Sequence, residues 1–108
     1  MTRSKRLLPI HKITEHEERQ SAQRLTKVHQ TLMAEKSRLA ELVAYRQSYL
    51  EEFKSLQKTD IGIEKLTHMQ QFIARLNETI QAQQNIIQRC ASELERQRQH
   101  WRERHLRT

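Results

Sequence analysis

The sequence is short of the residues that turn a chain. Gly, Pro and Cys occur once each in 108 residues, and aromatics make up 5%. A many-stranded sheet needs Gly- and Pro-rich turns between its strands, so their scarcity excludes one. A lone Gly62 cannot build a glycine-rich phosphate loop. One cysteine, Cys90, excludes an internal disulfide and suits a reducing compartment. Apolar runs are short too, so no membrane span is expected. The start, Met1 to Leu8, is basic but has neither the apolar stretch nor the cleavage site of a signal peptide. These absences point to a cytoplasmic protein.

What is present is charge and helix-forming residues. Charged residues are 31% of the chain and hydrophobic ones 35%, with a formal net charge of +7 and a pI near 10.1. Abundant Gln, Glu, Arg, Leu and Ala favour long solvated helices. So few apolar residues cannot fill a compact core and must instead lie along a seam. From Leu25 they recur in steps of three and four: Leu25, Val28, Leu32, Leu39, Leu42, Tyr49, Phe53 and Leu56, interrupted by Glu35 and Arg46. A second run holds Leu66, Met69, Ile73, Leu76, Ile80, Ile87, Cys90, Leu94 and Trp101, with Gln83, Gln97 and Arg104 as its polar members. Such spacing sustained over several heptads is the signature of a coiled coil.

Between the runs, Thr59, Asp60 and Gly62 offer a turn and a cap for the second helix. The expected fold is all-α: two long helices in an antiparallel coiled-coil hairpin, turning near Asp60–Gly62. The expected limits within the single domain 1–108 are a flexible basic N-terminus over 1–12, a helix over 13–58, a turn over 59–63 and a helix over 64–107. Centring the turn on Ile61 pairs residues whose numbers sum to 122, such as Tyr49 with Ile73, Leu42 with Ile80, and Val28 with Leu94. In this register each polar seam residue faces an apolar one, as Leu39 does Gln83 and Glu35 does Ile87. Farther out, Ser21 meets Trp101 and Glu18 meets Arg104. Upstream of Ser21 the seam weakens, and Pro9 marks the earliest helix start.

Heptad bookkeeping leaves a remainder. Tyr45, Phe72 and Ile86 fall at g positions, outside the seam, and g positions of antiparallel helices share an edge with Thr79. They either fold over the seam or form a contact face, where aromatics are enriched. The chain ends are basic: Arg3, Lys5, Arg6 and Lys12 at one, and Arg96, Arg98, Arg102, Arg104 and Arg107 around Trp101 at the other. They form either a solvated charged surface or a positive tip for an acidic groove. Nucleic acid fits such a tip electrostatically. The pattern lacks a basic-zipper arm, zinc-finger spacing and a stacking platform, so specific nucleic-acid binding is not expected. The runner-up function is nonetheless a basic coiled-coil nucleic-acid-binding protein.

No catalytic set emerges. His11, His16, His29, His68, His100 and His105 include no i, i+4 pair, so no metal site is expected. Cys90 sits at a d position as a small packed residue with no base fixed beside it. The carboxylates alternate with Lys and Arg, which supports helices rather than acid–base chemistry. The expectation is a protein that is not an enzyme and uses no cofactor.

The order Leu42-x-x-Tyr45-x-x-x-Tyr49, Gly62-Ile63, Gln70-Gln71-Phe72-Ile73-x-x-Leu76-x-x-x-Ile80 and Trp101-Arg102-Glu103 resembles the flagellar export protein family FliJ. The resemblance implies a cytoplasmic component of the bacterial flagellar type III export apparatus, peripherally associated with the inner membrane. Proteins of that family are antiparallel two-helix stalks that insert their open end into the hexameric export ATPase. They also touch the cytoplasmic domain of the export gate and escort export chaperones. It further implies gate contact by Leu42, Tyr45, Tyr49, Phe72 and Leu76, and an ATPase-facing tip of Arg3, Lys5, Arg6, Arg98, Trp101, Arg102 and Arg104. Injectisome stalk proteins of the YscO type share the architecture, so the equivalent virulence role is an alternative. Family members usually continue beyond the position of Thr108, and Arg38, Met69, Thr79 and Gln83 depart from the residue types expected on the contact face.

Overall fold

Long-chain residues dominate both arms, and their straight side chains lose little freedom on a helix. The computed structural model describes residues 2–106, with side chains over 12–104 and at 106. It is all-α, with α1 over Thr2–Gln57 and α2 over Ile63–Leu106, and no strand among the described residues. α1 starts well before residue 13 and takes in Pro9. A proline inside a helix costs about 3 kcal/mol relative to alanine but removes only one backbone donor. Good helix formers on both sides, Lys5, Arg6, Leu7, Leu8 and Lys12, carry the helix across it. α2 begins one residue earlier than expected and ends at Leu106.

The turn uses its residues differently from the expectation. Thr59 closes α1: its backbone N–H and its hydroxyl both donate to the Leu56 carbonyl, at 3.1 and 2.7 Å. The start of α2 is formed on Gly62, whose carbonyl accepts from Lys65 N–H at 3.1 Å and Leu66 N–H at 3.3 Å. Gly62 has no positive φ, and a side chain added there would meet nothing within 4 Å. Its place at the helix start therefore needs no special backbone conformation. Lys54 in the last turn of α1 and Glu64 in the first turn of α2 complement the two helix dipoles.

The chain packs as two units, Leu32–Arg89 and Met1–Thr31 with Cys90–Thr108. The first is a hairpin of antiparallel helical segments around the turn. Every a and d position in it is buried or half-buried, and outside those positions only Ile61 and Phe72 are half-buried. Its core is Leu32, Ile73, Leu76 and Ile80. The second unit pairs the outer segments of α1 and α2. Its seam positions are covered from Ser21 onward, residues 12–20 are all exposed, and Leu94 is its one buried apolar side chain among the described residues. The weak seam upstream of Ser21 is therefore real.

Polar seam residues depart from the simple layer scheme. Gln83 is buried at 4% exposure, and its Nε2 donates to the Glu35 carbonyl at 3.0 Å and to the Glu35 carboxylate. Two polar residues of adjacent layers thus find each other instead of each facing only an apolar partner. Burying an amide without a hydrogen bond costs more than bending two flexible side chains together. Arg46 leaves the seam in the same way, its Nη1 donating to Asn77 Oδ1 at 3.0 Å. No buried side-chain nitrogen or oxygen among the described residues lacks a partner.

A specific stability outcome follows. Gln83→Ala strands the half-buried Glu35 carboxylate and should destabilise the hairpin by about 1–3 kcal/mol. Glu35→Leu combined with Gln83→Leu should restore or raise the melting temperature, because an apolar layer replaces a buried polar one. Thermal unfolding followed by circular dichroism distinguishes the two; a double variant less stable than the single one would contradict the pairing.

Candidate functional site

On a heptad wheel d lies beside g, so one edge of the hairpin unit carries d and g residues from both helices. Leu42, Tyr45, Tyr49, Phe72 and Leu76 are all at these positions, within the unit Leu32–Arg89. They divide by depth. Leu76 is core at 7% exposure, Leu42, Tyr49 and Phe72 are half-buried, and Tyr45 is exposed at 47%. The aromatic rings touch one another: Phe72 lies 4.6 Å from Tyr49 and 6.0 Å from Tyr45, and the two tyrosine rings are 5.1 Å apart. The Tyr45 contacts are edge-on and the Tyr49–Phe72 pair is tilted, arrangements that ring quadrupoles favour. Phe72 therefore covers the seam and also presents a face.

The tyrosines are polar at one end of this cluster. A side-chain hydrogen bond with Tyr45, followed by the charge repulsion between the two phenols, pushes Tyr49 above its ordinary value. The Tyr49 phenol thus keeps its proton around neutral pH. Ile86 continues the edge at 38% exposure, and Thr79 between them turns its hydroxyl back to the Arg75 carbonyl at 2.9 Å. The opposite edge, where e lies beside a, was missed. It exposes Val43 at 37% and Leu50 at 38%, a heptad apart. The same bookkeeping extended to e positions would have found them.

The basic residues belong to the other unit. Residues 1–31 and 90–108 hold 12 Lys and Arg against 6 Asp and Glu, whereas residues 32–89 hold 8 against 7. Six of the seven net positive charges are thus in that unit. Its described arginines are partly paired. Arg104 donates to Glu17 at 2.5 Å and to the Ser21 hydroxyl at 3.2 Å. The expected partner, Glu18, is instead exposed, because Arg104 reaches the g position at Glu17 from its d position. Arg102 meets Glu95 at 3.0 Å, and Arg98 is exposed. Trp101 is half-buried and lines a shallow hollow with Glu15, Glu18, Arg19 and Ala22. The side chains of Arg3, Lys5, Arg6 and Arg107 lie outside the described residues.

Glu93 is the anchor of a third cluster. Arg96 grips its carboxylate through Nε at 3.0 Å and Nη2 at 2.6 Å, and Gln97 adds a donor at 3.0 Å. Gln97, a polar seam residue, is thereby satisfied along its own helix. These bonds, Arg96 first, hold the Glu93 carboxyl at about 2, below its ordinary 4.5. Among the described residues no three His, Cys, Asp or Glu side chains gather to hold a metal. No described helix is long and apolar enough to cross a membrane.

Fold and surface together define a long-helix coiled-coil protein with an aromatic edge on one unit and a cationic excess on the other. A family model described as flagellar FliJ protein matches residues 3–108. The chain belongs to the FliJ family and is a component of the flagellar type III protein export apparatus. No curated protein matches it, and no solved structure does.

The Glu93 cluster makes a pH prediction. A carboxyl whose value is lowered on folding contributes stability above its unfolded value, and that contribution is lost as pH falls from about 4.5 through about 2. Carboxyl NMR titration should place the Glu93 midpoint near 2, and Arg96→Ala should move it back toward 4.5. High salt should weaken the effect because the pair is exposed. An unchanged midpoint in Arg96→Ala would contradict the assigned cause.

Proposed function

We propose that the chain is a non-catalytic stalk of the flagellar export apparatus, acting in the cytoplasm and peripherally at the export gate. Its d/g edge, Leu42, Tyr45, Tyr49, Phe72 and Leu76, contacts the cytoplasmic domain of the gate protein. Its basic unit, with Arg98, Trp101, Arg102 and Arg104, engages the hexameric export ATPase, and Arg3, Lys5 and Arg6 are assigned to the same tip. The chain also escorts export chaperones. The observation that carries the reading is the half-exposed cluster of Tyr45, Tyr49 and Phe72. Rigid aromatic rings at a surface lose little entropy when a partner covers them, which is why they dominate binding energy. Within it, Leu76 and Leu42 hold the rings in place rather than supply accessible area, given their burial. Family membership supports an export role, and the separation of charge supports a distinct partner for the basic unit.

The gate contact is tested by calorimetric binding of the purified gate domain. Phe72→Ala should weaken binding by about tenfold or more while leaving helix content unchanged. Equal affinity in wild type and variant would overturn the assignment. The ATPase contact is tested by hydrolysis by the purified export ATPase with and without this chain. Arg98→Glu combined with Arg102→Glu should abolish stimulation; Arg104 is left alone because it holds Glu17 and Ser21. Stimulation that survives the double reversal would contradict a basic contact.

A further inference from the structure

The e/a edge of the hairpin unit is unlike the rest of this highly charged surface. Along Ala40, Val43, Gln47 and Leu50 of α1 no charged residue occupies a b or e position. Opposite them, the b and e positions of α2 from Thr67 to Gln88 are filled only by Thr, Gln, Ala and Asn. Two large apolar side chains, Val43 and Leu50, stand exposed on it one heptad apart. Between them one charge emerges, the guanidinium of the half-buried seam residue Arg46.

Arg46 is what gives the edge a direction. Its partner across the helices is the neutral amide oxygen of Asn77 at 3.0 Å, and no carboxylate among the described residues reaches it. The other seam arginine, Arg104, leaves its d position in the same manner but ends on the Glu17 carboxylate. A guanidinium offers five donors in a planar fork that matches a carboxylate, and a half-buried one gains more from pairing than one in open water. One seam arginine is thus neutralised within the chain and the other is held by an amide, flanked by two apolar side chains that are each more than a third exposed.

We propose that this edge is a second docking surface, distinct from the aromatic edge, and that its occupant is an amphipathic helix of another protein. That helix presents two apolar side chains a heptad apart, to cover Val43 and Leu50, and an Asp or Glu between them that pairs with Arg46. A second copy of this chain is disfavoured, because a two-fold contact here would bring two unneutralised Arg46 guanidinium groups together. The uncharged amide and alanine positions of α2 let the helix approach closely without a charge to desolvate.

The probe is a stapled 18-residue helical peptide with Leu at two positions seven apart and Glu between them, compared with the same peptide carrying Gln. NMR shift mapping on the full chain should move Val43, Leu50 and Asn77 and spare Tyr45 and Phe72. The Glu peptide should bind about tenfold tighter than the Gln peptide, the scale of one charge-assisted pair. Arg46→Leu, which fills the seam and keeps the fold, should abolish that difference, whereas Phe72→Ala should not change it. No shift at Val43 and Leu50, or equal affinities of the two peptides, would overturn the proposal. So would binding that follows Arg98 and Arg102 rather than Arg46, since that reports general attraction to the basic unit.

Discussion

Everything in this fold depends on a single line of a and d side chains between two helices. A hairpin of two helices has no second layer to close over its core, and no described side chain is completely buried; the deepest, Ile80 and Gln83, keep 4% exposure. Burial of a large aliphatic side chain is worth about 1.5–3 kcal/mol, so a seam of half-covered residues returns only part of that at each step. Among the described residues four of the five buried apolar side chains, Leu32, Ile73, Leu76 and Ile80, lie in the hairpin unit around the turn, and the fifth, Leu94, lies in the other unit. A thin seam also leaves edges. What flanks it on either side is necessarily half-exposed, and in this chain those flanks carry the aromatic rings on one side and Val43 and Leu50 on the other.

The polar seam residues show how such a fold tolerates charge at its centre. Glu35 and Gln83 satisfy each other, Arg46 and Arg104 reach out along their aliphatic stems, and Gln97 turns back along its own helix to Glu93. Each lowers stability relative to an apolar residue, and those bonded across the helices, Gln83, Arg46 and Arg104, exclude registers in which they would be stranded. A one-heptad slip would separate Gln83 from Glu35 and Arg46 from Asn77 together. These cross-helix polar contacts thus add to the apolar seam in fixing the register of the hairpin.

Much of this was legible in the sequence because seam periodicity is a strong, redundant signal. From Ser21 onward every heptad position assigned from Leu25 to Leu56 and from Leu66 to Arg104 is buried or half-buried. The g-position argument likewise found Tyr45 and Phe72, and the family match agrees with the resemblance carried by their spacing. The errors are those of flexible side chains and local caps. Register arithmetic pairs backbones, so it assigned Arg104 to Glu18 when a long guanidinium reaches Glu17. Residue type offered Thr59 as a cap for the second helix, whereas its hydroxyl bonds the Leu56 carbonyl of the first, because a hydroxyl can bond either a preceding carbonyl or a following amide. Val43 and Leu50 recur at e positions with the same seven-residue spacing that places Phe72 and Ile86 two heptads apart at g, so the e edge was equally legible.

The central claim is that seam residues fold the chain and edge residues bind its partner. It is tested most directly by measuring melting temperature and gate-domain affinity on the same two variants, Leu76→Ala and Tyr45→Ala. Leu76 is core and Tyr45 is nearly half exposed, so Leu76→Ala should lower the melting temperature markedly. Tyr45→Ala should leave the melting temperature almost unchanged and weaken binding severalfold. A Tyr45→Ala variant that melts as early as Leu76→Ala yet binds the gate domain as well as wild type would contradict the division between folding seam and binding edge.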